Sequence, residues 1–392
     1  MPDIRAIQAE LRASKLDGWL FCDYHHRDPI AARILGLDSH SMATRRWFYF
    51  IPSRGQPRKL VHRVEQGALD SLAGRKYVYA SWEELRKSLR ALLAGSAKIA
   101  MQYSPRSNIP SISLVDAGTV ELVRSLKKKV ASSANLVQTF EASWTPEQLA
   151  SHLDAGKIIH RITLAAFESA AVCIREGRPI TEFGLQQWIL DRFRSNGLTT
   201  AEPPIAAVQP NNGNPHYEPQ RDSSRPIRAG DLLLLDIWAK LDRPASVYYD
   251  ITWMGYLGAQ VPGAYAKIFR IIRQARDRAI EFVGESVAAG RAIRGWEVDR
   301  VAREVIRKAG YAKYFVHRTG HNIGQEVHGN GANMDSLETR DDRLIAPHTC
   351  FSIEPGIYLP GFGVRSEVNV YVGEDGARVT GPLQDEILPL LA

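Results

Sequence analysis

The chain has 392 residues, of which 44% are hydrophobic and 24% charged, a globular composition long enough for two domains with separate cores. The N-terminus alternates charged and apolar residues and no apolar stretch is long enough to cross a bilayer, so neither a secretory signal nor a membrane-spanning segment is expected, and a cytoplasmic protein is. Cys22, Cys173 and Cys350 are odd in number and far apart, which excludes a disulfide framework and a thiolate zinc site. The net charge of +7 is uneven: residues 1–140 carry 22 Lys and Arg against 12 Asp and Glu, residues 141–392 carry 28 against 31. The basic residues of the first part are scattered, with Lys127–Lys129 the one run, so a solvated surface is expected there and no nucleic-acid site.

In chain order, IRAIQAELRASKL has helical spacing, DGWLFCDY is strand-like, and WFYFIPSRGQPRKLVH predicts a hairpin turning at Ser53–Pro57. SWEELRKSLRALLAG is an amphipathic helix capped by Ser81, KIAMQY a strand, and SLVDAGTVELVRSLKKK a further helix. This predicts an α/β domain ending within residues 131–144, taken as 1–137, with a second domain over 138–392. Thr145 and Pro146 suit the cap and first position of the helix that follows.

The second part carries an internal repeat. Gly177, Arg178, Ile180, Phe183 and Gly197 recur 113 positions later as Gly290, Arg291, Ile293, Trp296 and Gly310. Each copy is preceded by a long helical segment and followed by two β-runs, which predicts a duplicated helix-helix-hairpin unit.

Four acids stand at equivalent places in the two hairpins. AGDLLLLDIWAK places Asp236 in a buried strand and SVYYDITWMGYLG returns with Asp250. CFSIEPGIYL carries Glu354 and VRSEVNVYV carries Glu367, 118 and 117 positions further on, with PGFG as the turn. Singly, each acid could be a salt-bridged or capping residue. Together, four carboxylates at one sheet centre require charge compensation, which an oxygen-ligated pair of divalent metal ions supplies. FVHRTGHNIGQEVHG adds His317, His321 and His328 on a glycine-containing loop, and VQPNNGNPHYEP places His216 on the approach to the first hairpin.

The ordered set NPHYEP, LLLLDIW, YYDIT, HRTGHNIGQEVHG, FSIEPGIY and GVRSEVN resembles the pita-bread metallopeptidases, aminopeptidase P and prolidase more than methionine aminopeptidase. The resemblance covers residues 145–392, and the N-terminal part is similar to the smaller creatinase/prolidase-like domain of those proteins, a lid and oligomerisation element. It implies that Asp236, Asp250, His321, Glu354 and Glu367 ligate two divalent ions, manganese first, with cobalt, zinc or iron as alternatives. It further implies that a metal-bridging hydroxide attacks an Xaa-Pro bond in a dipeptide or short peptide. Glu354 would take the proton, His328 would stabilise the oxyanion, and His216, His317 and Arg365 would line the substrate. A homodimer is the expected assembly. Two other functions fit the same frame: hydrolysis or lyase chemistry on a small non-peptide, as in creatinase-like relatives, and a non-catalytic binding module. The chain departs from the family's pattern after Glu367, where Val368 and then Asn369 stand in place of an acidic or amide residue directly following the glutamate, at Gly329 and Gln325, and in the spacing of Asp236 and Asp250.

Overall fold

Asp3 opens the first helix by accepting the Ala6 amide, and this helix, α1 (Ile4–Ala13), buries Ile7 and Leu11. The structure is a computed structural model that describes residues 2–38 and 42–391. Its chain divides into two units, Met1–Glu141 and Ala142–Ala392.

In the first unit, β1 (Gly18–Asp23), β2 (Trp47–Pro52), β3 (Arg58–His62), β4 (Arg75–Tyr79), β5 (Lys98–Met101) and β6 (Lys129–Ser132) form one sheet in the order β4-β3-β2-β1-β5-β6. The hairpin expected around Ser53–Pro57 is the antiparallel β2–β3 pair. Helices α2 (Pro29–Leu35), α3 (Trp82–Leu92), α4 (Ala117–Ser125) and α5 (Ala134–Val137) complete the unit. Ser81 and Glu84 form a capping box on α3. Trp19, Phe21, Tyr49 and Ile51 belong to one apolar cluster and Leu20, Phe48 and Phe50 to another, so alternate residues of β1 and β2 supply both faces. Strands covered on both sides read as continuous apolar runs, as these do. Phe140, beyond the end of α5, also packs against the first cluster, and the division falls at 141/142 where 137/138 was expected.

The second unit opens with α6 (Pro146–Arg175), whose Thr145 and Gln148 form a capping box with Pro146 in the first turn. The repeat is visible in the backbone. Helix α7 (Glu182–Ser195) and its counterpart below, α9, each run 14 residues and begin 113 positions apart. After α7 come β7 (Leu198–Thr199), β8 (Ile205–Ala207) and the hairpin β9 (Leu232–Leu241) with β10 (Tyr249–Tyr256); then the second half starts with α8 (Gly263–Ala288) and α9 (Gly295–Lys308). Gly177 and Gly290 turn the chain at φ 65° and 66°, Gly197 and Gly310 at 67° and 87°. The left-handed region is open to glycine without a Cβ clash, which explains why these four positions repeat.

The second hairpin differs from its expected form. Instead of two continuous strands, β11 (Asn322–Ile323), β12 (Thr349–Ile353), β15 (Val368–Val372) and β16 (Ala377–Val379) make one sheet, while β13 (Gly356–Leu359) and β14 (Phe362–Arg365) make a separate ribbon. The break falls at Glu354–Pro355 and Ser366–Glu367. Pro355 lacks the N–H a ladder needs, so pairing stops there and both acids are released from the strands. The last strand, β17 (Leu388–Pro389), runs parallel beside β10.

Candidate metal centre

Asp236 lies opposite Thr252, and Asp250 opposite Trp238, in the β9–β10 register, so all four side chains share one face of the hairpin. Glu354 follows β12 directly and Glu367 precedes β15 directly, next to the Ile353–Val368 pair. Cross-links between the halves hold the acids together. Glu367 N–H donates to Thr252 O at 3.2 Å, and Thr252 Oγ1 donates to Glu367 Oε2 at 2.8 Å. Asp250 N–H donates to Asn369 Oδ1 at 3.0 Å.

His321 enters beside them. Its N–H donates to Ser352 Oγ at 2.9 Å, and Nδ1 donates to Asn322 O at 3.2 Å. That second bond fixes the tautomer, leaving the Nε2 lone pair 3.6 Å from Asp250 Oδ2 and 3.5 Å from Glu354 Oε1. Burial, reinforced by His328, holds His321 well below the usual imidazole range, so the ring is neutral as a ligand must be.

The acids are pushed the other way. Burial raises Asp250 well above the usual carboxylate range, with Asp236 and Glu354 adding repulsion. Burial likewise raises Glu367 strongly, followed by repulsion from Asp250, Glu354 and Asp236. Glu354 is raised to about 7 by burial, against the opposing pull of Arg365. Asp236 is raised by burial despite its ion pair with Arg365. Asp250 Oδ1 and Glu367 Oε1 are buried with no hydrogen-bond partner among the described residues. Asp250, His321 and Glu367 offer ligand atoms that all lie within 4.8 Å of one another. Buried oxygens without donors, mutual repulsion and a neutral imidazole make a donor set that fits divalent cations.

His216, His317, His328 and Arg365 line the same cavity of about 520 Å³ as the five candidate ligands. His317 is clamped, Nδ1 to Arg318 O at 2.7 Å and Nε2 to Tyr358 OH at 2.8 Å, and burial lowers it to about 3. The His328 ring stands edge-on to His321 at 4.3 Å. His216 is exposed where it lines the cavity, its backbone N–H bonded to Asn214 Oδ1 at 3.1 Å. Arg365 is buried among Asp236, Thr252 and Tyr358.

Sequence reasoning passed over Ser352, Tyr358, Arg318 and Asp299. Ser352 lies two residues before Glu354, and strand alternation alone points it to the same face. Asp299 gave no signal, because its role is to gather distant backbone: it accepts from Thr319 N–H at 2.9 Å and Ser336 N–H at 3.0 Å, and pairs with Arg303. A larger cavity of about 970 Å³ lies in the first unit, but its acids have structural work. Asp23 holds the amides of His26, Arg27 and Asp28, Asp28 caps α2, and Asp116 caps α4.

Two mirrored halves meeting at a carboxylate and imidazole centre define a pita-bread metalloenzyme architecture. Residues 155–374 match the family described as Metallopeptidase family M24, and the chain belongs to that family. It is 38% identical over 173 residues to the Xaa-Pro dipeptidase of Lactobacillus helveticus, an alignment covering 44% of this chain and 42% of that protein. The match thus spans less than half the length of this relative. Among solved structures, dipeptidase PepE from Mycobacterium ulcerans aligns over 99% of this chain and 96% of its own with TM-score 0.73 at 22% identity. The Xaa-Pro dipeptidase from Bacillus anthracis aligns over 98% of each chain with TM-score 0.65 at 20% identity. At those identities the likeness establishes the fold. Among the described residues, no helix is long and apolar enough to cross a membrane.

Proposed function

We propose that the chain is a metal-dependent peptidase that hydrolyses Xaa-Pro bonds in dipeptides or short peptides, working as a homodimer, with manganese the first expected ion. The observation that carries this reading is the meeting of Asp250, His321 and Glu367 within 4.8 Å, with a buried, unpartnered oxygen on each of the two acids. In this reading Asp236 and Asp250 from the first half, His321 from the loop, and Glu354 and Glu367 from the second half hold two divalent ions. Bound there, such ions acidify water and polarise a scissile carbonyl.

The chain's own residues do the rest. Glu354, bonded through Oε1 to Ser352 Oγ at 3.2 Å, accepts a proton from the attacking water and returns it to the departing proline nitrogen. His328 donates to the carbonyl oxygen as negative charge develops on it. His317 is held by Tyr358 and Arg318 O as a fixed wall, and His216 lines the same cavity. Arg365 holds Asp236 in place. An Xaa-Pro imide has no N–H and a fixed φ, so it suits a dedicated site. The names of the L. helveticus and B. anthracis relatives favour the same substrate class.

The direct test is turnover of Xaa-Pro dipeptides, Xaa-Pro tripeptides and Xaa-Ala controls by chelator-stripped protein before and after adding manganese. Metal-dependent cleavage restricted to the proline series is expected. Protein that holds metal yet cleaves none of them belongs with the small non-peptide chemistry instead.

A further inference from the structure

In each half of the second unit a buried acid grips the loop that carries the histidines. Asp299, on α9, gathers the loop of His317 and His321 through the amides of Thr319 and Ser336. In the first half the acid is Glu182, which opens α7 and is fully buried. A helix N-terminus favours a carboxylate at that position. The internal repeat hides the correspondence. At the offset of 113, Glu182 falls on Gly295, where a Cβ would stand 1.9 Å from the carbonyl oxygen of Asn333, so the second half has no room there for a side chain. Asp299 stands one turn further along, on the same face of the helix.

Glu182 draws all its donors from one loop. Oε1 accepts from Val208 N–H at 2.8 Å, and Oε2 accepts from Arg225 N–H at 2.8 Å and from Tyr217 OH at 2.6 Å. Asn211 Nδ2 reaches both oxygens, at 3.2 and 3.0 Å. These groups mark the start, the middle and the end of residues 208–225, and together they occupy the roughly four acceptor sites of a carboxylate. Burial and Glu182 itself hold the Tyr217 hydroxyl above the usual phenol range, so its proton stays in this bond.

His216 sits next to Tyr217 in that loop. Its neighbours are pinned from both sides, because Pro215 O accepts from Arg365 Nη1 at 3.3 Å while Tyr217 is bonded to Glu182. Asn214 takes the His216 N–H on Oδ1 and the Tyr217 N–H on its carbonyl, each at 3.1 Å. Among the described residues no hydrogen bond holds the exposed imidazole, so its place at the cavity depends on the backbone that carries it.

We propose that Glu182 is a positioning residue for the cavity: by tying residues 208–225 together it fixes His216 where a substrate meets it. The proposal rests on the reading above, in which His216 lines the substrate. Without the grip the loop samples other courses, and only the fraction with His216 in place binds substrate productively, which raises KM.

The test uses full-length, manganese-loaded protein as wild type, Glu182→Gln, Tyr217→Phe and His216→Ala, with the first two changes also combined with His216→Ala. Glu182→Gln sets a donor against donors. Tyr217→Phe deletes a single bond and carries the test should the Gln variant fail to fold. Glu182→Gln is expected to lower kcat/KM on Xaa-Pro dipeptides by about 10- to 100-fold, chiefly through KM, and Tyr217→Phe by about 3- to 10-fold. Manganese affinity should match wild type, since the five candidate ligands lie outside the loop, and amide exchange should quicken across residues 209–225. With His216 already alanine, either change should cost less than about threefold, as expected of residues that act through one another. Equal losses with and without His216, unchanged turnover in both single variants, or a His216→Ala protein as active as wild type overturns the positioning role and leaves the Xaa-Pro reading standing. Wild-type protein that cleaves no Xaa-Pro substrate removes that reading. Exchange across residues 209–225 then decides the grip of Glu182: faster exchange in Glu182→Gln upholds it, and protection equal to wild type overturns it.

Discussion

The Asn369 carboxamide pairs with the backbone of Asp250 as a neighbouring strand would, accepting its N–H at 3.0 Å and donating Nδ2 to its carbonyl at 2.5 Å. It thereby joins the two half-sheets beside two candidate ligands, Asp250 and Glu367. Asn369→Ala leaves both backbone groups of Asp250 buried without partners, and each such group costs about 1–3 kcal/mol. A lower unfolding temperature is expected, together with a 10- to 100-fold weaker manganese affinity, the usual range when a residue that orients a ligand is lost. Calorimetric metal titration of the variant checks this; unchanged affinity would mean that Asn369 is only structural.

Gly320 leaves no room for a side chain. A Cβ there would stand 1.9 Å from the carbonyl oxygen of Ser352, a backbone atom that cannot swing away. Gly320→Ala must therefore displace either β12 or the loop that carries His321. Destabilisation of roughly 1–3 kcal/mol is expected from such overpacking, with a larger proportional loss of activity. Thermal melts and kcat measured on one preparation separate the two effects.

Asp299 is fully buried and holds Arg303, Thr319 and Ser336 around the loop of His317, Arg318 and His321. Replacing it by alanine removes the counter-charge of Arg303 and leaves the Thr319 and Ser336 amides without their acceptor, so a loss of about 1–3 kcal/mol for each buried group left unpaired is expected. Amide hydrogen exchange should rise first across residues 315–336. Uniform protection there, matching wild type, would contradict the clamp.

His152 is, with His160, a source of acid sensitivity outside the metal centre. It is buried between Tyr248 O at 2.6 Å and Thr380 Oγ1 at 2.8 Å, and burial lowers it to about 4. The unfolded chain binds this proton near 6.5 and the folded chain only near 4, so stability falls as pH drops through that window and levels off below it. The contribution is roughly 3 kcal/mol, at about 1.4 per pH unit. His152→Gln removes the titration, and the difference in unfolding temperature between wild type and variant should narrow from pH 7 to pH 4.5. A constant difference across that range would assign the acid sensitivity elsewhere.

Much of this architecture is legible in the sequence because it repeats. Glycines at 177, 197, 290 and 310 mark the same left-handed turns, and the four acids stand at nearly one offset because duplicated hairpins place them equivalently. The N-terminal helices and strands follow from local rules: Ser81 and Glu84 cap α3, and buried strands read as apolar runs. What escaped was contact between distant segments. The pairing of Asn369 with Asp250 spans 119 positions and has no local signature, so nothing in the sequence marked Asn369 as a bridge. The second hairpin was expected whole, whereas Pro355 divides it into a sheet and a ribbon.

The metal count decides the matter most directly. Chelator-stripped wild-type protein should bind two manganese ions per chain in a calorimetric titration, while Asp250→Asn and Glu367→Gln should each lose most of that binding yet remain folded. Stripped wild-type protein that binds no divalent ion at millimolar concentration, or variants that bind as wild type does, would mean that these buried acids are held together by something other than a cation.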